Sequence, residues 1–353
     1  MIEYALKEIN LLEKVIIHND PQSTTKEDEQ SPQLPGVEVL DPTPVSFFSK
    51  VKALIALMRP KQWTKNGAVF IGLVFAGQLF QLDPFIRTCL AFITFCFVSS
   101  TIYVLNDLLD IEKDRQHPVK RFRPLASGRL PVAWAKVAFV VLLLLCAILA
   151  TLVFFIPSHS DLYHTLGGAS ILFAGSIAAY LIMMIWYSFR LKHVVLIDVF
   201  CIAAGFVLRI VAGSVIIPVV ISPWLYLVMC FLSLFMGFGK RRHELVLLQG
   251  QAGSHRKILK EYSIPMLDQM MTIVVAGTLM SYSLYTIQGP TGNHRLFITV
   301  PFVLYGVFRY LYLVYMRMEG GSPDEILLHD RHMLATVLLC IITVIGVLYI
   351  LPK

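Results

Sequence analysis

The chain has 353 residues, is 56% hydrophobic with only 15% charged residues, and carries a net charge of +7. Soluble domains hold about 25% charged residues; this composition, with a mean hydropathy of +0.69, excludes a soluble domain of any size and describes a polytopic membrane protein. The positive charge sits in short loops between apolar runs, which argues against nucleic acid as a partner.

Residues 1–45 stand apart from the rest. The first 18 alternate acids, Lys and aliphatics, a pattern for a short amphipathic helix, and Glu3, Glu8 and Glu13 exclude a secretory signal peptide. Residues 20–45 are rich in Pro, Ser, Thr and Glu and read as a disordered linker. The expected division is therefore an N-terminal extension, 1–45, and one transmembrane domain, 46–353.

A spanning helix needs about 20 mostly apolar residues. The chain offers nine candidates, centred near residues 73, 95, 145, 178, 208, 230, 278, 305 and 342. The first works only as a kinked helix in which Val51–Met58 joins Gly67–Phe80 across a break at Pro60. With the N-terminus placed in the cytoplasm, segments 46–66, 106–130, 189–193, 239–265 and 317–332 hold most of the chain's 30 Lys and Arg, and the alternate segments hold three. That asymmetry is the positive-inside pattern, and nine spans put the C-terminus on the opposite side. The six cysteines all lie in apolar runs and none forms a CxxC pair, so neither a disulfide framework nor a zinc site is implied.

The polar clusters all fall on the cytoplasmic side. In chain order they are RPKQWTKN at 59–66, NDLLDIEKDRQHPVKRFRP at 106–124, YSFRLKH at 187–193 with Asp198 just beyond, GKRRHE at 239–244, and the acidic stretch from Asp324 to Asp330. The second is the most specific. At helical spacing Asp107, Asp110 and Asp114 share a face, and three carboxylates on one face call for a cation. Hard oxygen ligands suit Mg²⁺, and the basic residues that follow suit the phosphates such an ion bridges. Asp198 and Arg209 lie inside an apolar run, where an ionisable residue is costly. No GxGxxG, P-loop, HExxH or nucleophile elbow occurs.

Nine spans, with NDxxDxxxD leaving the second on the cytoplasmic side, resemble the UbiA superfamily of intramembrane prenyltransferases. The resemblance covers roughly residues 50–350. The usual second acidic motif is missing: Lys192 and the single carboxylate Asp198 stand there. RPKQWTKN, the acidic stretch, YSFRLKH, GKR and PDEILLHDR (323–331) are instead similar to the branch of decaprenyl-phosphate phosphoribosyltransferases. The resemblance implies a UbiA-like all-α bundle with a cytoplasmic-side active site in the plasma membrane. It implies transfer of phosphoribosyl from phosphoribosyl pyrophosphate to a polyprenyl phosphate; the alternative is prenyl transfer to an aromatic, haem or quinone precursor.

On that reading Asp107, Asp110 and Asp114 hold Mg²⁺ and Asn106 orients a carboxylate or phosphate. Lys120, Arg121 and Arg123 bind the donor's phosphates. Lys65, Lys192, Lys240 and Arg241 hold the acceptor phosphate, with Asn66, Tyr187 and Asp198 completing the substrate-binding set. The expected partners are the two substrates and the bilayer, with room for a homo-oligomer.

Overall fold

The computed structural model describes residues 46–116, 119–155, 168–220, 222–247, 257–289, 294–321, 326 and 329–351. The N-terminal extension and most of the 323–331 stretch lie outside the described residues. Those described are helical or in turns, with no strand among them.

Among the described residues eight helices are long and apolar enough to cross a bilayer: Leu82–Leu109, Val132–Phe155, Ala169–Phe189, Ile197–Val215, Pro223–Leu247, Ile264–Gln288, His294–Met316 and Arg331–Ile350. The protein is therefore a multi-pass integral membrane protein. The expected ninth span, the first in the chain, is a discontinuous run. Helix α1 (Phe47–Met58) ends at Arg59, a 3₁₀ stretch runs Pro60–Val69, and a short α2 (Phe70–Phe75) follows. Pro60 explains the break, because it has no N–H to donate and keeps its predecessor out of the helical region. Arg59 sits in the left-handed region at φ 55°.

We label the remaining helices α3 (Leu82–Leu109), α4 (Ile111–Gln116), α5 (Val132–Leu152), α6 (Ala169–Phe189), α7 (Ile197–Val215), α8 (Pro223–Leu247), α9 (Ile264–Gln288), α10 (Val300–Met316) and α11 (Arg331–Ile345). Helix α7 is central and packs against α6, α8, α3 and the broken first segment. The broken segment meets it backbone to backbone. A Cβ on Gly213 would stand 2.0 Å from the Val69 carbonyl oxygen, so only glycine fits there. One turn earlier Arg209 Nε donates to Asn66 Oδ1 at 2.7 Å. On its other side the segment is stitched to α3, where Trp63 Nε1 donates to Ser100 Oγ at 3.1 Å.

The apolar interior falls into patches. Val199, Leu234, Phe238, Tyr262 and Leu267 build one around α7, α8 and α9. Phe95, Phe173, Tyr180 and Ala212 build another around α3, α6 and α7. Many large side chains on the outer faces remain exposed, among them Val137, Leu144, Ile182 and Ile342, as lipid-facing helices require.

Candidate active site

The acidic motif straddles a helix end. Helix α3 stops at Leu109 with Asp110 as its C-cap, and α4 begins at once. Backbone hydrogen bonds bridge the break, from Asp110 N–H to Asn106 O (3.0 Å) and from Asp114 N–H to Asp110 O (2.8 Å). The three carboxylates therefore stay on neighbouring turns, two of them sharing a partner that the third does not take. Asp107 and Asp114, both buried, share one guanidinium nitrogen: Arg123 Nη1 lies 3.2 Å from Asp107 Oδ1 and 2.6 Å from Asp114 Oδ2. Asp107 also pairs with Arg59, whose guanidinium lies 4.9 Å from the Tyr103 ring centre. Asp110, a quarter exposed, takes Lys192 Nζ at 3.1 Å, with Lys113 Nζ at 3.7 Å.

The two loops that flank this cluster carry strained backbone. Arg59 has positive φ, and so does Leu196 (φ 65°, ψ −43°). Leu196 is the centre of a γ-turn of the rare positive-φ kind, closed by Ile197 N–H to Val195 O at 2.8 Å. Such positions cost on the order of 1–3 kcal/mol each and persist only where their surroundings hold them. The turn also delays the start of α7. Asp198 therefore lies in the helix's first turn, not the one and a half turns inside that the apolar run suggests.

Beside the γ-turn is a second carboxylate cluster, closed to solvent. Asp198 is fully buried; its Oδ2 accepts from Arg241 Nε at 2.7 Å and its Oδ1 from the Tyr262 hydroxyl at 2.8 Å. Arg241 spends Nη1 on Glu244 Oε2 at 2.6 Å. The Tyr262 hydroxyl accepts the Leu196 N–H at 2.7 Å. Burial, reinforced by the Asp198 carboxylate, pushes the Tyr262 phenol well above its usual range, so it keeps its proton at neutral pH. Asp198 and Arg241, expected to face substrate, are turned on each other.

The other expected residues are spread around these two clusters. Lys120, Arg121 and Lys240 are exposed, and Lys65, Asn106 and Tyr187 are half-buried. Tyr187 lies within electrostatic reach of Arg241. Asn66 is fully buried, bonded to Arg209 and to Ser99 Oγ at 3.2 Å, and so joins the bundle's interior. Lys192, expected on the acceptor side, stands on the acidic motif itself. Among the described residues no three acidic, His or Cys groups converge as a ready-made metal cage. The carboxylates nonetheless form an all-oxygen donor set suited to a hard divalent ion. Their oxygens are held by the side-chain cations of Arg59, Arg123, Lys113 and Lys192.

Sequence reasoning missed Arg59 and Tyr262. Arg59 had a signal, as the first residue of RPKQWTKN immediately before a proline. Tyr262 had none, because it reaches Leu196 across 66 positions. Asp330 resolves to a structural role. It pairs with Arg309 through two contacts (2.7 and 3.1 Å) and caps α11 at Met333 N–H. The Arg309 hydrogen bonds hold its carboxyl below the usual range.

Comparison with known proteins bears on this arrangement. The model of the UbiA prenyltransferase family matches residues 67–325. The decaprenyl-phosphate phosphoribosyltransferase of Corynebacterium glutamicum is 32% identical over 347 residues, covering 95% of this chain and 94% of that protein. The enzyme of the same name from Mycolicibacterium smegmatis is 30% identical, covering 83% and 92%. A UbiA homologue from Archaeoglobus fulgidus, solved bound to GPP and Mg²⁺, shares the fold at TM-score 0.61 and 19% identity, over 84% of this chain and 99% of that one. This helical membrane bundle, with an NDxxDxxxD motif at one helix end and matched over most of its length by that family's model, belongs to the UbiA prenyltransferase family.

Proposed function

We propose that this chain transfers the 5-phosphoribosyl group from phosphoribosyl pyrophosphate to a polyprenyl phosphate, releasing diphosphate. The observation that carries the reading is the full-length similarity to two proteins named for that activity. The site agrees with it chemically: each carboxylate of the acidic motif is matched by a basic side chain, Arg59, Arg123 or Lys192. Phosphates on both substrates need cations of this kind close to the metal-binding carboxylates.

Asp107, Asp110 and Asp114 would hold Mg²⁺, with Asn106 hydrogen-bonding beside them. When bound, the ion would offset negative charge growing on the leaving diphosphate. Arg59 and Arg123 stand ready to move from carboxylate to diphosphate oxygens as planar, bidentate donors. Lys120 and Arg121 suit the outer phosphates. Lys192, on Asp110, serves the donor side of the reacting centre. Lys65 and Lys240 would receive the acceptor phosphate, with Tyr187 completing the substrate-binding set. That phosphate is already an anion near neutral pH, so the attacking oxygen needs no general base. As its cation-rich loops suggest, the active face is cytoplasmic, in the plasma membrane, with the N-terminus on the same side.

Purified protein supplied with labelled phosphoribosyl pyrophosphate and a polyprenyl phosphate should form a labelled lipid and free diphosphate, and EDTA should stop it. Protein that ignores polyprenyl phosphate but consumes a prenyl diphosphate would replace this reading with prenyl transfer.

A further inference from the structure

We propose that Tyr262 is a positioning residue: its hydroxyl latches the strained turn at Leu196 and thereby aims Lys192 at Asp110. Three observations join here. First, the hydroxyl works in both directions on one loop, donating to Asp198 Oδ1 at 2.8 Å and accepting the Leu196 N–H at 2.7 Å. A phenol needed only for packing would not require both bonds, and its ring already packs in the patch with Val199, Phe238 and Ile258. Second, the latched residue is the positive-φ centre of a γ-turn, a conformation that the chain does not hold unaided. Asp198 is itself fixed by Arg241, so the latch is anchored to α8.

Third, little slack separates Leu196 from Lys192. The 3₁₀ turn Leu191–His193 follows directly on the end of α6, tied by His193 N–H to Arg190 O (3.0 Å) and Val194 N–H to Leu191 O (3.1 Å). With one end continuing α6 and the other latched at Leu196, the loop presents Lys192 to Asp110 in one pose. Tyr262 touches no reacting atom. It acts from just after the 3₁₀ turn Lys257–Glu261, ahead of α9. The inference rests on the proposed reading that Lys192 serves the reaction at Asp110.

A double-mutant cycle tests it. Tyr262→Phe should lower kcat/KM about tenfold, with the KM for phosphoribosyl pyrophosphate moving as it does in Lys192→Ala. The double variant should be no worse than Lys192→Ala alone, within about twofold. Losses that multiply, or a Tyr262→Phe protein with wild-type kinetics, would overturn the proposal. If Tyr262→Phe does not survive purification, Asp198→Asn takes its place in the cycle and must show the same lack of additivity.

A second readout does not depend on the reaction. All six native cysteines lie inside the spanning helices. Lys192→Cys therefore offers one loop thiol to a membrane-impermeant maleimide, and adding Tyr262→Phe should speed its labelling several-fold. Unchanged labelling refutes the latch even if the protein proves to be a prenyltransferase. Failure of the wild type to use phosphoribosyl pyrophosphate, with labelling accelerated, refutes only the functional reading.

Discussion

Two carboxylate–cation clusters meet the loop at residues 190–196, one through Lys192 and the other through Leu196, and they differ in what surrounds them. Around Asp107, Asp110 and Asp114 the cations are partly open: Arg59 and Arg123 expose 27% and 29% of their side chains, and Asp110 exposes 25%. Around Asp198 the central pair exposes 2% or less. An open pair can trade its partner for an incoming ion or phosphate at modest cost. A sealed pair cannot, since removing one member strands the other's charge in a low-dielectric interior. The first cluster therefore suits exchange and the second suits architecture, although both are built from Asp and Arg.

Substitutions can break that contrast in a graded way. The largest effect on turnover belongs to Asp110→Asn. It should lower kcat by more than about a hundredfold while the thermal melt in detergent stays unchanged, because the group it replaces is partly solvated. Near-wild-type rates, or turnover that survives EDTA, would remove the metal assignment. Asp198→Ala should show the opposite pattern, leaving Arg241 with Glu244 alone and the Tyr262 hydroxyl without its acceptor, and lowering stability by about 3 kcal/mol. A melt indistinguishable from wild type would show that water reaches that cluster.

Lys192→Ala should cost on the order of 1.5–3 kcal/mol of one charge-assisted contact, or roughly 10- to 150-fold in kcat/KM. With Lys192 on Asp110 the loss should appear mainly in the KM for phosphoribosyl pyrophosphate. A larger rise in the KM for the lipid would return Lys192 to the acceptor side. Deleting residues 1–40 should do least, leaving the rate within about twofold, since that composition cannot support a packed core. A large loss in purified protein would give the extension a part in the site.

Much of the fold was readable in advance, because the bilayer fixes element length and demands long apolar runs. Among the described residues eight of the nine runs are helices of spanning length, and the first, whose apolar run from Gly67 to Phe80 is short, is interrupted at Pro60. The acidic motif was readable because i, i+3 and i+4 spacing survives even across the helix end at Asp110. What the sequence could not convey was pairing. Lys192 meets Asp110 across 82 positions and Arg59 meets Asp107 across 48. Nothing in local spacing separates a Lys that faces lipid phosphate from one that faces a carboxylate. For Asp198 and Arg241, residue type suggested availability, whereas burial consumed every oxygen the carboxylate has.

The seam at Gly213 links the site to the membrane around it. The 3₁₀ stretch that begins directly after Arg59 is pinned ten residues later, where Val69 rests on the backbone of α7 at Gly213. A 3₁₀ helix rises about 2 Å per residue, so this clamp lies roughly 20 Å along the segment from the ion pair with Asp107. Between those ends Trp63 and Asn66 tie the same segment to Ser100 and Ser99 of α3, so it joins α7, α3 and the acidic motif. Spanning helices shift and tilt when hydrocarbon thickness changes. A tilt of α7 would therefore meet resistance at both ends of the segment, at Gly213 and at the ion pair of Arg59 with Asp107.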